Sequence, residues 1–359
     1  MSDTPKPAMT HRTLFASACL AGALAAAPQP AFAQHTTVYG VIDAFAGTIR
    51  SEAPGAPAAS RGVVDAGGMQ NSFVGISGAE DLGSGLKAVF QLEAFLRNDT
   101  GAAGRFDGDA FWARSAAVGF EGEFGRTTFG RNTAPYYSAL LAFNPLADSF
   151  VFGPMITHTF RGTLAGDTGM SNSVRLQTAG RGAWRTDLLW SAGEERGLQP
   201  DRKRGRAFDA AVHYASGAFA GSLAWRSIDL SGTIGPGDGR EQKAWLLGAS
   251  YDLKAAKLFA QYQDIADSGA GPATEVDVRT WQLGASVPLG GGKVLASWAN
   301  SKIEDADLLT PGKRDSWALG YDYLVSKRTD LYGMLYRDAL KSPAGPKERV
   351  IAVGVRHRF

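Results

Sequence analysis

Cysteine is nearly absent: Cys19 is the single one in 359 residues. It lies in an N-terminal apolar segment, so residues 34–359 carry no thiol and cannot be held by disulfide staples. Long hydrophobic runs are missing as well. Nowhere beyond residue 33 do 18 apolar residues follow one another, which excludes a membrane-spanning helix. No sign of charge dominates, with 37 Lys and Arg against 35 Asp and Glu, so nothing points to a nucleic-acid partner. The residue patterns of catalysis are lacking too. His35, His158, His213 and His357 show neither HExxH nor any other metal-ligand spacing. No phosphate-cradling GxxxxGK[ST] occurs, and "GPGDGR" (235–240) lacks a strand–turn–helix setting. Glu80-Asp81 fall in a tight turn and Glu194-Glu195 open a loop, neither with a partner base. The sequence therefore implies no enzyme, no cofactor and no metal.

Glycine, by contrast, is abundant: 45 residues, well above the average share of about 7%. The N-terminus has basic residues (Lys6, Arg12), an apolar run from Leu14 to Ala27, and Ala31-Phe32-Ala33. This is a secretory signal peptide cleaved before Gln34. The run is shorter than the ~20 residues of a spanning helix, and too few apolar residues separate Arg12 from Cys19 for lipoprotein processing. Residues 1–33 are thus read as a removed leader and 34–359 as one exported domain.

Period-two alternation fills that domain. It recurs in 36–47, 84–97, 111–121, 207–216, 243–253, 256–264, 280–289, 293–300, 316–325 and the closing "RVIAVGVRHRF". One parity is apolar or aromatic, as in Trp245-Leu247-Ala249-Tyr251 and Trp281-Leu283-Ala285-Val287; the other is small or polar. Several runs reach 10 to 14 residues, where soluble strands average about 5 to 6. Tight Gly-rich or polar turns (80–85, 121–125, 214–218, 252–256, 288–292, 325–330) alternate with long connections (50–68, 98–107, 134–169, 194–206, 231–240, 268–276, 304–313, 340–347). This pattern predicts a 16-stranded antiparallel transmembrane β-barrel with short periplasmic turns and long external loops. The apolar, aromatic-bounded parity faces lipid and the polar parity faces the lumen. Barrel closure pairs every backbone group, and Phe359 is placed on the lipid parity of the closing strand as an assembly determinant. A soluble β-sandwich would not need such long strands.

These segments also resemble, in order along the mature chain, the trimeric general porins of Gram-negative outer membranes. The resemblance is carried by "VYGVIDAF", "GISGAEDLGSGLKAVFQLE", "RSAAVGFEGEFGRTTFGRN", "SNSVRLQT", "LLGASYDL", "LGASVPLGGGKVLASWA", "WALGYDYLVSKRTDLYG" and "VGVRHRF". It implies an outer-membrane location, a homotrimer and a third loop folded inward as the constriction. The segment 133–158, apolar but broken by Pro135, Pro145 and Pro154, matches that loop. It further implies basic wall residues facing acids on the loop; Arg114, Arg131 and Arg175 match basic wall positions. Where the family carries arginines on the second strand this sequence has Phe73 and Ser77, and between 133 and 160 its only carboxylate is Asp148.

By parity Lys87, Arg97 and Arg185 also point inward, together with the acids Asp43, Glu93 and Asp187. The inward basic groups line a pore, or Arg114 and Arg175 form structural ion pairs with Asp187, Glu93 or Asp43; the sequence leaves both open. The basic "DRKRGR" (201–206) either meets lipopolysaccharide phosphates or is a solvated loop. The expected activity is passive diffusion of small hydrophilic solutes and ions through a water-filled channel with weak anion preference. The alternatives are a solute-specific channel, for organic anions or sugars, and a barrel-borne enzyme or adhesin. Small residues Gly40, Ala44 and Gly119 are expected on the outer wall, where trimer neighbours approach.

Overall fold

The computed structural model describes residues 35–53, 55–161, 163–193, 205–230, 240–267, 276–305, 312–341 and 345–359. The leader and residues 201–204 of the DRKRGR stretch lie outside them. The strands are β1 His35–Glu52, β2 Ala59–Ala66, β3 Phe73–Gly83, β4 Leu86–Arg97, β5 Ala102–Ala103, β6 Ser115–Gly122, β7 Gly125–Thr133, β8 Gly169–Thr178 and β9 Trp184–Ala192. There follow β10 Arg206–Ser216, β11 Phe219–Asp229, β12 Glu241–Asp252, β13 Lys257–Ala266, β14 Val276–Leu289, β15 Gly292–Asp305, β16 Gly312–Leu324, β17 Thr329–Lys341 and β18 Lys347–Arg358. Sixteen of them form an antiparallel ring, which β18 closes by pairing with β1. The short strands β2 and β5 are additions within the first two long connections, pairing with β1 and β4.

The strands outrun the alternating segments chiefly at their external ends. There the outward parity turns charged, as at Asp277 and Arg279 of β14 and Lys302 and Glu304 of β15, so an apolar outer face no longer marks the strand. The run at 111–121 enters the wall only at Ser115, because Phe111 to Arg114 belong to the preceding loop. A tight turn around residues 179–183 also went unread.

Outside, the ring is apolar. Trp245, Leu247, Trp281, Leu283, Ile351 and Val353 are all more than half exposed, whereas their strand neighbours Ala244, Leu246, Gln282 and Ala352 are buried. Only lipid suits such a surface. Phe359 lies on this face, 42% exposed. Its amide and carbonyl exchange 3.2 Å hydrogen bonds with Gly40, and a Cβ at Gly40 would meet its ring at 2.7 Å. Gly40 is therefore covered by the chain's own last side chain. Gly119 shares the parity of buried Ser115 and faces the lumen, opposite to the expectation; Gly40 and Ala44 keep the outward parity, Gly40 beneath Phe359.

Between Thr133 and Gly169 the chain turns inward. Two short helices, α1 Pro135–Ala142 and α2 Pro154–Phe160, each start on proline, which lacks the amide a helix start leaves unpaired anyway. Helix α1 packs on β10–β12 and α2 on β14–β16. Tyr136, Leu140, Met155 and Ile156 join Leu189, Ala211, Ala224, Leu246 and Ile265 of the wall in one apolar cluster. Leu146 and Phe152 join Phe45, Leu295, Tyr332 and Met334 in another. Two wall glycines permit this approach: added Cβ atoms would lie 2.5 Å from Phe143 at Gly248 and 2.6 Å from Pro145 at Gly284.

Candidate functional site: the constricted lumen

Polar contacts fix the inward loop where apolar packing alone would let it slide. Asp209 and Arg226 form a fully buried pair beneath it, at 3.0 and 2.8 Å. Asp209 Oδ1 accepts the Tyr136 amide at 3.2 Å, near the start of α1, a favourable place for negative charge. Arg226 donates to the Ala165 and Asp167 carbonyls at the loop's far end. His158 of α2 sits between the hydroxyls of Ser301 and Ser316 at 2.6 and 2.7 Å. Thr159 donates to Gln263, and Arg314 donates to the Thr157 carbonyl. Lumen-facing Gln263, Thr280, Gln282 and Ser316 are wholly buried as a result. Passage is left to the opposite wall, β4 and β6–β8, where Gln91, Ala117, Arg126, Arg175 and Gln177 remain partly exposed.

The loop meets that side at Arg114. Its guanidinium lies 3.2 Å from Glu93 and 3.4 Å from Asp148. It also stacks 4.1 Å above the Phe73 ring and 5.5 Å from Phe95. The other side of the assembly is Arg105, 4.8 Å from the Phe95 ring. Cation–π contacts and ion pairs together hold both arginines in place. Burial pushes the Asp148 carboxyl upward from its ordinary value; the Arg114 charge and the Tyr137 hydroxyl, which donates to it, oppose that shift without cancelling it.

Above Arg114, Arg105 grips Asp109 and, with both Nη atoms at 2.7 and 2.8 Å, Asp167. Arg131 shares Asp167 at 2.5 Å and donates to the Ala113 carbonyl and Ser171 hydroxyl. Burial alone would raise the Asp167 carboxyl, but the hydrogen bonds and charges of Arg105 and Arg131 hold it below the usual range. The second and third connections are thus tied together at the external mouth.

Of the residues singled out in the sequence, Arg114, Glu93 and Asp148 come together. Arg131 sits nearby on Asp167 and faces no other loop acid. Arg175 pairs with Asp187, Nε to Oδ1 2.9 Å, and Arg97 with Asp107 at 2.6 Å, so ion pairing and lumen placement coexist. Lys87 and Arg185 lie at the periplasmic ends of β4 and β9, with no carboxylate within 4 Å among the described residues. Asp43 departs from its expected place on the open surface. It is fully buried and accepts the Gly68, Met69 and Gln70 amides at 3.0, 3.0 and 2.9 Å and the Tyr332 hydroxyl at 2.6 Å. It fastens the chain between β2 and β3 to the wall.

Arg126, an inward group opposite Glu121, was missed, although its parity relative to outward Phe129 could have revealed it. Arg105, Asp109 and Asp167 stand in loops, where no periodicity reports on direction. Phe73, which stands where the family carries an arginine, forms with Phe95 the stacking surface for Arg114.

Known proteins share this architecture. The sequence profile of the Gram-negative porins matches residues 16–342. Outer membrane porin protein 32 of Delftia acidovorans is 29% identical, covering 97% of this chain and 99% of its own. A Bordetella pertussis outer membrane porin is 28% identical over 97% and 100%. The solved anion-selective porin from Comamonas acidovorans superposes with a TM-score of 0.75 at 26% identity, covering 91% and 100%. A closed sixteen-stranded wall, an apolar exterior and a loop fastened across a polar lumen agree with these likenesses: the chain belongs to the Gram-negative porin family and forms a passive diffusion channel in the outer membrane.

Proposed function

We propose that the channel prefers anions weakly and acts without chemistry on its solutes. The observation that carries this is the state of the lumen charges. Arg97, Arg105, Arg114, Arg131 and Arg175 are each matched by carboxylates. Lys87 and Arg126, on the periplasmic half of the open wall, and Arg185 on the adjoining β9 have none within 4 Å among the described residues. A few cations without a close carboxylate, on the periplasmic side of a nearly balanced constriction, bias the field modestly, and screening over about 8 Å at physiological salt weakens it further. The anion-selective character of the Comamonas relative supports the same sign. In a salt gradient, the purified channel should show a small anion-directed reversal potential that shrinks as salt rises. Changing Lys87, Arg126 and Arg185 together to Gln should carry it to zero or beyond. Cation selectivity of the unaltered channel at low salt would refute the reading.

The same proposal includes removal of residues 1–33 on export, assembly as a homotrimer, and lipopolysaccharide around the external rim. The trimer rests on the family likeness, and its contact is proposed on the outer wall of the early strands, where Ala44 of β1 faces outward. Sedimentation of mildly extracted protein as monomers alone would count against it.

A further inference from the structure

The inward loop has a free edge, and that edge is apolar. Leu141 and Ala142 at the end of α1, Phe150 and Val151 between the helices, and Phe160 at the end of α2 stay open to lumen water, while the loop's Asp148 is buried. Apolar side chains left wet inside a polar lumen call for a reason. Two of them are neighbouring aromatics: the Phe150 and Phe160 rings lie 5.9 Å apart, centre to centre, tilted by 47°. Buried Tyr137 braces both, edge-on to Phe160 at 5.4 Å and 6.4 Å from Phe150. Each ring also packs in part on the apolar cluster under the loop, so the pair is held in place with an open side toward the lumen.

A cation stands at the same edge. Arg161 follows Phe160 with its side chain 44% exposed, and its Nη2 donates to the Phe150 carbonyl at 3.3 Å. That bond keeps the guanidinium beside the ring pair. The neighbouring carboxylate of Glu348 lies 3.7 Å from Nη1, beyond hydrogen-bond reach. Arg114 differs: Phe73 covers its flat face and two acids take its edge. Aromatic faces attract other rings in offset or edge-on geometry, and a guanidinium fork suits paired oxyanion oxygens. We propose that Phe150, Phe160 and Arg161 form a weak retention site for small aromatic oxyanions, the ring lying on the phenylalanines and the acid group on Arg161. Aliphatic anions meet the arginine without the stacking, and neutral or cationic aromatics meet the rings without the charge match. The channel remains a general diffusion path in which such solutes pause at the loop before passing. The site adds a solute class to the diffusion reading and does not depend on the sign of the salt-gradient potential.

The test uses the complete channel in planar bilayers, with single-channel current in potassium chloride followed as benzenesulfonate is added. Methanesulfonate, benzylammonium and benzyl alcohol serve as comparisons. Benzenesulfonate should reduce the current saturably, with half-saturation roughly tenfold below that of methanesulfonate, and the two uncharged or cationic aromatics should act weakly. Phe160→Leu, which stays apolar but loses the ring, should raise half-saturation for benzenesulfonate severalfold, and Phe160→Tyr should keep it near the unaltered value. A residue that merely packs the loop would not separate benzenesulfonate from methanesulfonate in this way. Arg161→Gln should bring benzenesulfonate down to the level of benzyl alcohol. Equal action of benzenesulfonate and methanesulfonate, equal action of benzenesulfonate and benzylammonium, or an unchanged half-saturation in Phe160→Leu would overturn the proposal. Should Phe160→Leu yield no channels, Phe150→Leu and Arg161→Gln carry the same comparison, and an undiminished response in both would overturn it equally. The reversal potential in a potassium chloride gradient is read on the same channels: saturable retention in a cation-selective channel would uphold the site and refute the anion preference.

Discussion

The buried pair Asp209–Arg226 offers the sharpest test of how the inward loop is held. Both side chains are fully buried, joined by two hydrogen bonds at 3.0 and 2.8 Å. Arg226→Met removes the guanidinium and leaves a carboxylate in an apolar surround with the Tyr136 amide as its hydrogen-bond donor from the loop. Breaking one partner of a buried pair costs about 3–5 kcal/mol, whereas replacing both with apolar groups is often close to neutral. Adding Asp209→Leu should therefore recover most of the loss. What remains should be about 1 kcal/mol for the Tyr136 amide left without its acceptor. The assay is chemical denaturation in mild detergent, followed by tryptophan fluorescence, with bilayer recordings on the same preparations. Each single variant should also show noisier currents, because the loop loses one anchor: the Ala165 and Asp167 carbonyls lose theirs with Arg226→Met, and the Tyr136 amide loses its acceptor with Asp209→Leu. Additive losses in the double variant, or a quiet channel in the single ones, would refute the reasoning.

Two further outcomes follow from the site and the seam. The Asp148 carboxyl is raised above its ordinary value, burial being the main cause. As pH falls through that raised value it becomes neutral, the constriction gains one unit of positive charge, and reversal potentials should move toward anions; Asp148→Asn should abolish the shift, and an acid shift toward cations would contradict it. Phe359→Ala removes the ring that covers Gly40 and should lower the amount of assembled barrel, as seen by heat-modifiable mobility on gels, while leaving the conductance of assembled channels unchanged; normal assembly with altered conductance would refute it.

The wall was readable from the sequence because lipid and water on its two faces impose one rule on every strand. Trp245-Leu247 against Leu246-Gly248 shows where that rule begins to blur: Leu246 is apolar yet inward, buried under the loop. The external strand ends escaped because their outward parity is charged, as at Asp277, Arg279, Lys302 and Glu304. Of the site, inward parity found Glu93 and Asp187, since each sits in a strand. Arg114, Arg175 and Asp148 came from the family resemblance. The mouth was illegible, because Arg105 and Asp167 are 62 residues apart in two loops and meet only after the barrel has brought those loops together. Asp43 misled for a related reason. Its parity is inward, but parity cannot say whether a chain segment such as 67–70 will fold over it.

The central claim is that solutes pass along the β4 and β6–β8 wall and not along the wall that the loop covers. With Cys19 as the sole cysteine in the sequence, single cysteines can be placed at Gln177 on the open wall and at Gln263 beneath the loop. Conductance is then followed while a charged, membrane-impermeant methanethiosulfonate reagent is added. The account predicts rapid partial block with Gln177→Cys and no block with Gln263→Cys. Block at residue 263 with none at residue 177 would contradict it.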